Sequence, residues 1–169
     1  MATIQQVLLE DMPAVQLIGK RYTDKDRDEY GSFSSKWHEW FQNGYFDALC
    51  ACEGIMGVSD DFIGAMRHTN AGFEYWIGMF MDETDVPPAG FERVFIPAGK
   101  LGVCYVYGKD DSTDLFSMDA CNACTRAWAE QGWQIAPDAW RLERYNCPRF
   151  TTPDEKGNVI LDCCAYVTQ

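Results

Sequence analysis

Apolar positions along the chain switch between two spacings, and the switches outline the elements. Residues Ala14 to Tyr22, AVQLIGKRY, make a short apolar stretch with a basic end behind Pro13, which predicts a strand. From Ser32 the period changes. Phe33, Trp37, Trp40, Phe41, Tyr45 and Leu49 recur every three to four residues, one face of a helix, with Ser32 or Ser34 as its cap. Glu53 to Val58 reads as a weak strand and Asp60 to Gly72 as a polar connection. Phe73 to Met81, FEYWIGMFM, is dense in β-formers and reads as a strong strand. Asp82 to Gly90, DETDVPPAG, is a loop, because two prolines and three acids do not fit a central strand.

After this loop the order starts again. Phe91 to Tyr107 holds strand segments on either side of Pro97-Ala98-Gly99. Leu115 to Gln131 has helical spacing through Phe116, Ala120, Cys124, Ala127 and Trp128, with Gly132 where a helix-ending glycine belongs. Trp140 to Cys147 and Val159 to Val167 read as the last two strands, joined by the turn TTPDEKGN. Strand-helix-strand-strand therefore occurs twice. Val15 to Leu101 and Phe73 to Val159 share one offset of 86 residues, as a duplication requires. The predicted architecture is a single α+β domain over residues 1–169, with repeats of about 12–85 and 90–168. Two pseudo-symmetric strand-helix-strand-strand units form an antiparallel sheet, with helices on one face and a ligand groove on the other.

Composition narrows what such a domain does. Lys+Arg 14 against Asp+Glu 26 gives a net charge of −12, which repels phosphate backbones and anionic lipid alike, so neither direct nucleic-acid binding nor membrane binding is expected. No apolar run approaches a membrane span, and acidic residues stand where a signal peptide needs basic ones, so the expected address is cytoplasmic. Eight cysteines without an export signal read as reduced, buried thiols. The pairs Cys50/Cys52, Cys121/Cys124 and Cys163/Cys164 invite a zinc reading, but with His38 and His68 as the only histidines, no metal and no cofactor are expected. The 6 Trp and 8 Tyr exceed what one core of this size needs, which leaves rings to line a site.

The run FEYWIGMFMDETDVPPAGFERVFIPAGKLGVCYVYG resembles the centre of the GyrI-like effector-binding domains, with a strand carrying an aromatic and a glycine, a proline-rich loop and an Ile-Pro-Ala-Gly element in that order. AWAEQGWQIAPDAWRLERY, Ala127 to Tyr145, resembles the second helix of that family, its Gly-aromatic ending and the strand carrying Glu-x-Tyr. The likeness spans about residues 12 to 168 and implies two strand-helix-strand-strand units. In many bacterial relatives this module follows a helix-turn-helix and senses drugs. Here about a dozen residues precede the first predicted strand, so the chain is similar to the stand-alone members.

The resemblance places its Glu-x-Tyr on Glu143 and Tyr145, which strand alternation puts on one face. A carboxylate among aromatic rings suits a cation. Tyr75, Trp76, Tyr105 and Trp140 are the rings expected nearest the centre of the sheet. Tyr75 and Trp76 are adjacent and point to opposite faces, and Trp76 is favoured for the groove because Gly78 on its face would leave room. Trp37 and Trp40 continue the apolar stripe of the first helix and are expected in the core. Three readings stay open. The first is binding of aromatic, cationic small molecules for drug sensing or sequestration, across several drugs as in multidrug binders. The second is hydrolysis of cyclopropane-containing or similar electrophiles, with Glu143 and Tyr145 as the catalytic pair. The third is inhibition of a protein partner such as DNA gyrase, with acidic charge standing in for nucleic acid. No nucleophile elbow, phosphate loop or His-rich metal motif supports another enzyme class.

Overall fold

The structure is a computed structural model that describes residues 1–51 and 59–169. The expected weak strand at Glu53 to Val58 lies outside the described residues. The chain divides into two compact units, one of Ala14–Pro97 and one of Met1–Pro13 with Ala98–Gln169.

The unit Ala14–Pro97 holds β2 (Val15–Tyr22), α1 (Ser34–Gln42), α2 (Tyr45–Cys50), β3 (Phe62–Thr69), β4 (Gly72–Met81) and β5 (Glu92–Ile96). Its strands form an antiparallel sheet in the order β3-β4-β2-β5. The single predicted helix is two, because Gly44 adopts φ 66° and turns the chain between them. The stretch expected to be a polar connection contains β3. Its Gly64, Arg67, His68 and Thr69 hide an alternation in which Ile63 and Ala65 are fully buried.

The other unit holds β1 (Thr3–Met12), β6 (Gly99–Lys109), α3 (Met118–Glu130), β7 (Arg141–Tyr145) and β8 (Asn158–Val167), in the antiparallel order β1-β6-β8-β7. Ser117 caps α3 by accepting a hydrogen bond from the amide of Ala120, and Gly132 follows the helix at φ 80°. Shifted by 86 residues, β4 coincides end to end with β8. Strand β1 is absent from the elements that the sequence pattern predicts. A register shift between Ile4 and Gln6 breaks its apolar alternation, and its edge position leaves many side chains exposed. Strand β1 pairs with β6 and β5 pairs with β2, so each of these pairings joins strands that are not consecutive in the chain.

Each sheet packs a helix on one face. Beneath α1 and α2 lie Ile18, Tyr22, Tyr75, Ile77, Met79 and Met81 around a fully buried Trp40. The indole N–H of Trp40 donates to the Tyr22 hydroxyl, and that of Trp37 to the Tyr75 hydroxyl, both at 2.9 Å. Part of the aromatic surplus is therefore core, since paired Trp and Tyr bury large rings while satisfying their polar ends. Beneath α3 lie Cys104, Val106, Leu161 and Ala165, with Cys124 and Trp128 from the helix itself.

Candidate functional site around Glu143 and Tyr145

Strand β7 alternates cleanly. Leu142 and Arg144 are buried on one face, while Arg141, Glu143 and Tyr145 are half-buried on the other. Tyr145 packs against the core beneath α3, so Glu143 and Tyr145 lie on the helix-bearing face of their sheet rather than the bare one. The Tyr145 hydroxyl donates to Glu143 Oε2 at 2.9 Å. Phe150 meets the Tyr145 ring edge to face at 4.8 Å and 85°, and Phe116 approaches it at 6.5 Å. Phe116, just ahead of α3, is exposed, so the ring beside Tyr145 reaches solvent.

Sulfur adjoins the carboxylate. Cys163 of β8 is the register partner of Glu143. Burial, and after it the charge of Glu143, pushes the Cys121 thiol of α3 up. Phe116, Phe150, Cys121 and Cys163 are not among the residues that the sequence places here. Only the Cys-x-x-C spacing of Cys121 and Cys124 hints at them.

The other predicted rings are elsewhere. Tyr105 points to the opposite face of its sheet, where the Arg149 guanidinium lies 4.5 Å from its ring centre. Trp140 precedes β7 and is buried. Tyr75 and Trp76 belong to the unit Ala14–Pro97. Tyr75 faces its helices, stacked on Phe33 at 4.2 Å. Trp76 is buried on the opposite face, its indole N–H without a hydrogen-bond partner among the described residues. Gly78 leaves no room beside it: a Cβ there would stand 2.1 Å from the carbonyl oxygen of Ile18, so the space is filled by strand β2.

Charge on the bare face of the β1-β6-β8-β7 sheet is internally matched. Asp162, fully buried, accepts from Arg149 at 2.7 and 3.0 Å and from Arg144, whose other end holds Glu10 in a bidentate pair. Arg144 is thus committed on the face away from Glu143. An open depression of about 340 Å³ at the end of this sheet is lined by Gln5, Tyr107, Arg149 and Asp154 among others. Its Tyr107, Asp154 and Asn158 bond to one another, and it does not include Glu143. Among the described residues no three His, Cys, Asp or Glu side chains are grouped to hold a metal, and no helix is long and apolar enough to cross a membrane.

No family model and no curated protein matches the chain. Solved structures do. SAV2435 bound to tetraphenylphosphonium aligns with a TM-score of 0.71 at 13% identity, over 97% of this chain and 94% of that one. A protein of Staphylococcus aureus MU50, described by a role in transcription regulation, aligns at 0.68 and 14%, over 97% and 99%. The C-terminal domain of EcmrR aligns at 0.66 and 14%, over 97% and 98%. At these identities the likeness is one of fold.

Proposed function

We propose that the chain is a small-molecule binding protein of the effector-domain type, and that its site is built on Glu143 and Tyr145 and takes an aromatic cation. The observation that carries this reading is the half-buried Glu143 carboxylate, oriented by the hydroxyl of Tyr145, whose ring is met in turn by Phe150 and the exposed Phe116. A carboxylate in such a setting attracts positive charge more strongly than one in water, and ring faces add to the pull. A cation without hydrogen-bond donors can be held by these two effects alone. Tetraphenylphosphonium, the compound bound to SAV2435, is of that kind.

Tryptophan-fluorescence titration with tetraphenylphosphonium and with cationic aromatic dyes tests the reading. Saturable quenching at micromolar concentration is expected. No change with any of these compounds up to about millimolar, a binding free energy weaker than about −4 kcal/mol, would refute it.

A further inference from the structure

Strand β7 carries a second charge beside the carboxylate. Arg141, Glu143 and Tyr145 are half-buried on one face, each two residues from the next. Their register on β8 agrees: Arg141 stands opposite Ala165 and Glu143 opposite Cys163, and both partners belong to the packing beneath α3. Arg141 and Glu143 therefore share a face at a backbone spacing of about 7 Å. They do not pair with each other directly. Among the described residues Arg141 forms no ion pair, whereas Arg144 of the same strand is held by Glu10 and Asp162 on the opposite face. The Cys121 thiol of α3 registers both charges, since burial raises its pKa most, Glu143 adds to the rise and Arg141 opposes it.

We propose that Arg141 is the specificity-determining residue of this site, and that the preferred ligand is an aromatic cation that also carries an anionic group, a carboxylate or a sulfonate. This rests on the reading of Glu143 as the partner of the cation and extends it. A half-buried guanidinium has lost part of its water, and it gains most from an anion with two oxygens, which its fork of N–H donors holds in a bidentate pair. Among the described residues no carboxylate takes that place, although Asp and Glu outnumber Lys and Arg 26 to 14. A simple cation leaves the guanidinium unpaired and brings a like charge close to it, so Arg141 acts against such a ligand while Glu143 acts for it. A ligand with both charges satisfies both residues at once. Phe116 and Phe150, set about the ring of Tyr145, suit the flat ring system that joins the two charges.

Rhodamine B, a zwitterion at neutral pH, and its ethyl ester, a cation with the same ring system, differ only at the carboxylate and serve as the probes. Fluorescence polarisation of both dyes against the full chain should show the acid bound about fivefold tighter than the ester, the scale of one partly exposed charge pair. Arg141→Met should remove that preference by weakening the acid and leaving the ester as tight or tighter. Glu143→Gln should weaken both dyes alike. Equal binding of acid and ester by the parent, or a preference that survives in Arg141→Met, would overturn the role of Arg141 while the cation site stands. Binding of neither dye would also overturn it, and if tetraphenylphosphonium fails to bind as well, the cation reading falls with it. Should Arg141→Met fail to fold, the acid-to-ester ratio of the parent decides.

Discussion

Replacing Asp162 with asparagine asks how the buried charges of the β1-β6-β8-β7 sheet are balanced. Asp162 and Glu10 face Arg144 and Arg149, two charges of each sign, and Asp162 is fully buried with both guanidinium groups on its oxygens. The Asp162→Asn change keeps the shape, removes one negative charge and turns an amide NH2 toward donors. Removing one partner of a buried ion pair costs about 3 to 5 kcal/mol, because the opposite charge stays buried without compensation. The Arg149 side chain is 30% exposed and can draw on water, so the low end of the range applies. For a domain of this size a loss of about 3 kcal/mol lowers Tm by about 6 to 12 °C. Urea unfolding and thermal melts followed by circular dichroism measure both numbers. Asp11→Asn, which breaks the exposed pair of Lys100 and Asp11, serves as the control and should cost less than about 1 kcal/mol. Adding Arg149→Met to Asp162→Asn should recover part of the loss. If Asp162→Asn unfolds within about 1 kcal/mol of the parent, the network is not the buried, balanced unit described.

Gly78→Ala should be among the most damaging single-methyl changes, costing more than about 3 kcal/mol or preventing soluble expression, because the added carbon would lie 2.1 Å from the Ile18 carbonyl oxygen. A denaturation midpoint equal to the parent's would contradict the close β2–β4 approach. Glu74 is buried, which alone would raise its pKa, but hydrogen bonds from Arg21 and Arg67 outweigh burial and hold the carboxyl below its usual range. A depressed folded pKa contributes stability that is present above the unfolded value near about 4.3 and lost as pH falls through the folded one. The stability gap between the parent and Glu74→Gln, followed by urea melts at stepped pH, should therefore be widest near neutrality and narrow below about pH 4. A gap that widens on acidification would show the sign to be wrong.

Strong single-element signals carried most of the fold. Strands β4 and β8 are rich in β-formers and share the 86-residue offset, and α3 announces itself by its apolar stripe and by Gly132. Elements without a clean period were lost: β1 because a register shift interrupts it, β3 because Arg67, His68 and Thr69 look like a loop. For the site, a period of two shows that Glu143 and Tyr145 share a face but carries no information about which face. Only the contacts of Tyr145 with the core under α3 answer that. Gly78 illustrates the converse failure. An absent side chain is either room for a ligand or room for a neighbouring strand, and the two are identical in sequence.

Calorimetric titration of the parent and Glu143→Gln with tetraphenylphosphonium and with neutral triphenylphosphine oxide tests the central claim most directly. The substitution keeps side-chain shape and removes the charge. If Glu143 holds the cation, affinity for tetraphenylphosphonium should fall by about 1 to 3 kcal/mol, roughly 5- to 150-fold, while the neutral compound changes less than about twofold. Thermal stability should be kept, which separates a binding role from a structural one. Equal affinity of both proteins for the cation, or an equal loss for cation and neutral compound, would contradict the assignment of Glu143 as the charge that selects the ligand.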